Sequence, residues 1–266
     1  MLTKALIPLI IIALAYLGLV TYASAFANRI IFPYVEPSYE KSEAHLFLKS
    51  GDGERIVARY YAVKDSPKLI LYSHGNGEDI GHGHFLYQTF QKNGVALLAY
   101  DYPGYGLSSG KATEKGTYAA IEAAYKYANE TLGYQAEDII LYGRSLGSGP
   151  SCWLATQHRF GGIILDGAFT STFRVLTQRK ILPWDKFDNL KRIPSIDCPF
   201  LVIHGTEDQV VPFSHAKKNL AAIKSPKSKL WIKGARHNNY IAVAGDLYWE
   251  TVLTFIQSLS TTPDDE

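Results

Sequence analysis

Gly143-Arg144-Ser145-Leu146-Gly147 sets a serine between two glycines, directly after the apolar run 139–142 and ahead of a helical stretch, 146–158. A G-x-S-x-G in strand–turn–helix context is a nucleophile elbow. Small residues on either side let the chain turn sharply and hold the hydroxyl outward at the positive end of the helix dipole. A serine hydroxyl is a poor nucleophile at neutral pH unless a base removes its proton and an acid orients that base. Both follow in the chain. His204-Gly205-Thr206-Glu207-Asp208-Gln209-Val210-Val211-Pro212 places Asp208 just past the strand 200–203, and Gly234-Ala235-Arg236-His237-Asn238-Asn239 places His237 between the last strand and the last helix. Glu207, Asp166 and seven further histidines compete for these roles. Asp166 reads as a hydrogen-bonding group in the loop after its own strand, and His204 as a side chain packed at a strand end.

Acyl transfer also needs N–H donors aimed at the oxygen where negative charge develops. Ser73-His74-Gly75-Asn76-Gly77 follows the strand 69–72, so the backbone N–H groups of Asn76 and Leu146 are the expected oxyanion hole. His82 and His84 suggest a metal at first sight, but no third ligand has suitable spacing, so no metal site is assigned and the pair reads as polar helix-start residues.

These loops need a scaffold. Apolar runs at 69–72, 95–100, 139–142, 163–165, 200–203 and 229–232 alternate with helical stretches at 83–92, 114–131, 146–158, 215–223 and 246–259. Near-continuous apolar runs suit strands covered on both faces, and strict alternation makes a doubly wound, mostly parallel α/β sheet. Runs at 45–48 and 55–62, joined through Gly51-Asp52-Gly53, add an antiparallel hairpin and bring the total to about eight strands. In such a sheet ligands bind beyond the carboxyl ends of the strands, where Asn76, Ser145, Asp208 and His237 fall.

Composition sets the outer limits. The chain has 266 residues, 47% hydrophobic and 20% charged, enough for one large core. A formal charge of +2, from 27 basic and 25 acidic residues, gives no field that would favour nucleic acid. Cys152 and Cys198 lack metal-ligand spacing and read as buried small hydrophobes. Residues 5–27 carry no charge and lie between Lys4 and Arg29, long enough for a single bilayer crossing. A cleaved secretory signal ending near Ala23-Ser24-Ala25, leaving a secreted or periplasmic product, is the alternative. Length and the connector Asn28-Arg29-Ile30-Ile31-Phe32-Pro33 favour a membrane anchor over residues 1–30, with the catalytic domain over 31–262. Lys4 and Arg29 balance each other, so the orientation stays open, as does the oligomeric state. The acidic tail 263–266 reads as frayed.

Taken jointly, the motifs resemble the Bem46-like branch of the α/β-hydrolase domain proteins, which overlaps the serine aminopeptidase-like hydrolases. The matching pieces are Ile31-Phe32-Pro33, H-G-N-G-E from His74, D-Y-P-G-Y-G-L-S-S-G from Asp101, G-R-S-L-G-S-G-P from Gly143, F-D-N-L-K-R-I from Phe187 and H-G-T-E-D-Q-V-V-P from His204. The resemblance spans nearly all of residues 32–259. It implies an α/β-hydrolase fold, a cofactor-free esterase, lipase or acyl-thioesterase activity, and Ser145, Asp208 and His237 as the triad. About 34 residues separate the strands ending at Leu165 and starting at Phe200, room for a small cap, about 168–198, over an open site. Its Phe169, Phe173 and Trp184, with Leu176 and Ile181, are candidates to line an acyl pocket. The leading expectation is ester or thioester hydrolysis of a lipid or acylated substrate. Amide or peptide hydrolysis, and a non-catalytic membrane-tethered binding protein, are the alternatives.

Overall fold

The structure is a computed structural model that describes residues 2–259; the tail 263–266 and the last three residues assigned to the catalytic domain lie outside the described residues. The apolar amino-terminal run forms helix α1 (Leu2–Ile31), of which Leu6–Ile31 has a mean hydropathy of 2.3 and is long and apolar enough to cross a membrane. Its carboxyl end is tied to the domain. Ala27, Ile31 and Phe32 are buried, and Phe32 meets Phe187 edge-on at 6.0 Å.

Beyond α1 the chain forms strands β1 (His45–Lys49), β2 (Arg55–Tyr61) and β3 (Leu69–Ser73), helix α2 (His84–Lys92), strand β4 (Ala96–Tyr100), helix α3 (Glu114–Lys126) and strand β5 (Ile139–Arg144). Helix α4 (Ser148–Leu154), strand β6 (Gly162–Asp166), helices α5 (Thr172–Thr177) and α6 (Asn189–Arg192), strand β7 (Phe200–Gly205), helix α7 (Ser214–Ala222), strand β8 (Lys227–Ile232) and helices α8 (Tyr240–Ala244) and α9 (Asp246–Ser258) complete it. One eight-stranded sheet runs in the order β1-β2-β4-β3-β5-β6-β7-β8. The β1–β2 and β2–β4 pairs are antiparallel and the other pairs parallel. The sheet is an α/β-hydrolase fold, as expected.

Alternation along each strand sorts the core into two layers. Leu69, Leu71, Leu98, Leu141 and Val202 face one way, toward α3 and α4; Ile70, Leu97, Ala99, Ile140 and Leu201 face the other, toward α2 and α9. Both faces are covered, which is why β3, β4, β5 and β6 read as apolar runs without a polar face.

Several helix bounds differ from the sequence reading. The stretch 114–131 is α-helical only to Lys126 and then widens into one π-turn, Tyr127–Thr131, closed by Leu132 N–H on the carbonyl of Tyr127. The helix after the elbow is shorter than 146–158, because residues 145–147 form a 3₁₀ turn and Ala155 ends α4. Helix α8 follows His237 at once and has too few residues to show an apolar period. Cys152 and Cys198 are both buried, as free thiols, and burial pushes each up to about 12, so neither is a ready thiolate.

Candidate active site

Strand β5 carries the elbow into the middle of the sheet. Ser145 adopts φ +49°, a left-handed conformation that costs a β-substituted residue about 1–3 kcal/mol. Its neighbours show what the two glycines are for. A Cβ on Gly143 would stand 2.7 Å from Ser148 Cα, and one on Gly147 would stand 2.0 Å from the carbonyl oxygen of Ser73 on β3. Both are required by close approach of backbone to backbone, since neither has a positive φ. Ser148 Oγ donates to the Ser145 carbonyl at 2.7 Å and receives Asn189 Nδ2 at 2.9 Å, which ties the turn to α6.

Three distant segments meet at this serine. His237 Nε2 lies 2.8 Å from Ser145 Oγ, and His237 Nδ1 lies 2.6 Å from Asp208 Oδ2. The carboxylate is engaged on all sides. Asp208 Oδ1 accepts from the N–H groups of Val210 (2.9 Å) and Val211 (2.8 Å), and Oδ2 also accepts from Tyr240 Oη at 2.5 Å. Burial alone would raise the Asp208 carboxyl, but the hydrogen bonds and charge of His237, with Tyr240 and Val211, hold it below the usual carboxylate range. It stays an anion wherever His237 must be oriented.

The competing candidates have other employment. Asp166 accepts from Tyr142 Oη at 2.8 Å and Tyr248 Oη at 2.7 Å beneath the elbow. His204 is buried with Nε2 2.8 Å from the Val211 carbonyl and 3.4 Å from Asp208 Oδ2, packed under the acid rather than beside the serine. His82 bonds Asp79 at 2.9 Å, His84 faces Tyr61 at 3.3 Å, and no metal-binding group of three or more His, Cys, Asp or Glu side chains occurs among the described residues.

The loop after β3 lies opposite. Gly75 N–H donates to Glu78 Oε2 at 3.1 Å and is thus occupied, while Asn76, Ser145 and Leu146 line one common hollow. That placement suits Asn76 and Leu146 N–H as the oxyanion donors. Two residues the sequence reading passed over brace this loop. Arg144, inside the elbow itself, donates to Glu78 Oε1 at 2.6 Å and to Asn238 Oδ1 at 3.2 Å, and so joins the Asn76 loop to the His237 loop. Asp101, from the turn after β4, accepts from Ile80 N–H at 2.8 Å and from the Tyr39 hydroxyl, which buckles the connector behind α1 to the same loop.

Burial pushes Asp101 up to about 7, against hydrogen bonds from Tyr39 and Ile80 that lower it. A carboxyl whose folded-state pKa is raised stabilises the fold fully below its unfolded value of about 4, and that contribution is lost as pH rises from there toward 7. The Asp101→Asn variant is therefore expected to show a flatter fall in Tm between pH 4 and 7 than the parent chain, measured by calorimetry. Equal slopes would mean that Asp101 ionises in the folded protein as it does in the unfolded one.

A hollow of about 260 Å³ opens beside Ser145, lined by Ile30 and Ile31 of α1, Phe169, Thr172, Val175 and Leu176 of the cap region, and Val210 and Val211. Of the three aromatic candidates, Phe169 lines this hollow and Phe173 and Trp184 do not. Helix α5 turns Thr172, Val175 and Leu176 toward the hollow at i, i+3 and i+4, which sends Phe173 to the side that packs on the main core. Trp184 is half-buried in the turn leading to Asp185, which Ser171 and Arg174 pin to the start of α5. The contribution of Ile30 and Ile31 was not legible, because nothing in an apolar run says which end returns to a pocket.

A family model of serine aminopeptidases, S33, matches residues 64–183. Alpha/beta hydrolase domain-containing protein 17B of Homo sapiens is 37% identical over 207 residues, 76% of this chain and 72% of that protein. The alpha/beta hydrolase domain-containing protein aho-3 of Caenorhabditis elegans is 37% identical over 197 residues, 73% of this chain and 59% of its own length. Among solved structures, the Pyrococcus furiosus esterase Pf2001 is similar at a TM-score of 0.69 and 18% identity, over 83% of this chain and 93% of that one. An esterase from Exiguobacterium antarcticum is similar at 0.63 and 17%, over 79% and 98%.

Proposed function

Since this chain belongs to the α/β-hydrolase domain-containing family, we propose that it is a serine hydrolase that cleaves carboxylic esters or thioesters through an acyl-Ser145 intermediate. The observation that carries this reading is the continuous line from Asp208 through His237 to Ser145 Oγ, with 2.6 and 2.8 Å links. His237 Nε2 takes the hydroxyl proton as Oγ attacks the acyl carbon, and Asp208 holds the ring with Nδ1–H toward itself. The oxyanion of the tetrahedral intermediate faces the N–H groups of Asn76 and Leu146. Collapse breaks the bond to the leaving oxygen or sulfur, which takes the proton back from His237. Water then repeats the sequence on the acyl-serine and releases the acid.

Apolar side chains on the serine's open side supply a place for a hydrocarbon chain, and α1 supplies two of them. The hollow is smaller than the roughly 300–1,000 Å³ that encloses a drug-sized ligand, so a long acyl chain must run out past Leu176, which is 78% exposed. There α1 accompanies it: Tyr16 Oη donates to the Ile181 carbonyl at 3.1 Å, so the helix lies against the cap region. A substrate presented at a bilayer, with α1 as the membrane anchor, fits this placement. Cleavage of an amide is the second reading, favoured by the serine aminopeptidase match. No carboxylate lines the hollow to receive a free amino terminus, so esters and thioesters rank first.

Stopped-flow hydrolysis of p-nitrophenyl octanoate by the detergent-solubilised chain tests the proposal. The expected trace is a burst of about one nitrophenolate per chain followed by slower turnover. Absence of any turnover of esters and thioesters would overturn it. Cleavage confined to peptide amides would leave the second reading.

A further inference from the structure

A separate hollow of about 310 Å³ borders the catalytic histidine, lined by Gln209, Val210, Arg236, His237, Asn238 and Asn239. Val210, 53% exposed, borders both hollows and divides them. The two differ in chemistry. The first is walled by Ile30, Ile31, Phe169, Val175 and Leu176, whereas the second holds one guanidinium and three carboxamides.

The carboxamides are biased toward donation. An arginine guanidinium and a backbone N–H can only donate, so each fixes the amide atom that faces it as oxygen. Asn238 Oδ1 receives Arg144 Nη2 at 3.2 Å, and Asn239 Oδ1 receives the N–H of Arg236 at 2.7 Å. Among the described residues each amide keeps both N–H donors free for a ligand, against one remaining lone pair on its oxygen. Arg236 is exposed and makes no ion pair among the described residues, and no carboxylate lines this hollow. Asp208 stands behind His237 with both oxygens engaged.

The leaving atom must accept its proton from His237, so the leaving group has to lie on the histidine's side of the scissile bond. We infer that the hollow of Gln209, Arg236, Asn238 and Asn239 is the leaving-group subsite, and that it selects alcohols or thiols bearing an anionic, acceptor-rich group. This rests on the ester and thioester reading above and adds the specificity of its second half. The enzyme divides its substrate into an apolar acyl part, held toward α1, and an acidic part, held at Arg236.

Two octanoyl esters with one acyl chain and different leaving groups test it: p-nitrophenyl octanoate, neutral, and 4-(octanoyloxy)benzenesulfonate, anionic. The acyl contribution cancels in their ratio. With activity normalised to the intrinsic reactivity of each ester toward hydroxide, the parent chain is expected to favour the sulfonate by about three- to five-fold in kcat/KM, the size of one partly exposed charge pair. Arg236→Glu is expected to reverse that preference, and Gln209→Glu, on a separate loop, to reduce it. Raising the salt to about 1 M should shrink the parent's preference, because exposed charges are then screened within about 3 Å. A normalised ratio near one in the parent, unchanged in both variants, would overturn the subsite while leaving the hydrolase reading intact. Failure of the parent chain to turn over either ester would instead bring down that reading.

Discussion

Replacement of Ser145 by alanine is expected to lower kcat for an activated ester by about 10⁶-fold, to the detection limit, with Tm nearly unchanged. The size of the effect follows from what is removed. Without Oγ there is no acyl-enzyme, and water attacking directly keeps only the assistance of the Asn76 and Leu146 donors, about 10³–10⁴-fold over the uncatalysed rate. The stability forecast follows from the contacts. Among the described residues Ser145 Oγ bonds only His237, and an alanine at φ +49° carries much the same backbone strain as the serine it replaces. Steady-state hydrolysis of p-nitrophenyl octanoate with calorimetry on the same sample checks both. Activity within tenfold of the parent would remove Ser145 from the chemistry.

The second large effect is expected from Asp208→Asn, about 10⁴-fold in kcat. The four groups hydrogen-bonded to this carboxylate are all donors: the N–H groups of Val210 and Val211, the Tyr240 hydroxyl and His237 Nδ1–H. An asparagine must turn its NH₂ toward one pair of them. If it faces His237, the ring takes the opposite tautomer, with the proton on Nε2, and can no longer accept from Ser145. If it faces Val210 and Val211, it opposes two backbone N–H groups and opens the loop. A fall of less than tenfold, with Tm unchanged, would show that His237 needs no anion to hold it.

The same carboxylate sets an acid limit. Its folded-state pKa is depressed, so its contribution to stability is present above the unfolded value of about 4 and is lost as pH falls below it. Asp101 acts with the opposite sign between about 4 and 7.

Much of the fold was legible because it is encoded locally. The apolar runs of β3, β4, β5 and β6 and the punctuation after each predict a two-sided parallel sheet, and chemistry then has to lie at the strand ends. Ser145, Asp208 and His237 stand out for that reason, each in a loop directly after a strand. What was not legible depends on distance across the chain. Tyr240 touches Asp208 from a five-residue helix with no pattern of its own. Arg144 looks like the variable position of a motif, yet it spans from Glu78 to Asn238, two partners far apart in sequence. Residue type alone points to Phe173 and Trp184, but which face of α5 meets the serine is set by its docking. Gly143 and Gly147 show the converse: the motif identifies them correctly, while the reason, backbone contact with Ser148 and Ser73, appears only in three dimensions.

Covalent capture addresses the central claim most directly: incubate the intact chain with a fluorophosphonate and locate the adduct by peptide mass. One phosphonyl group on the peptide containing Ser145, lost in Ser145→Ala and formed far more slowly in Asp208→Asn, is the result this account predicts. An adduct on any other residue, or continued ester hydrolysis by a chain that takes up no label, would contradict it.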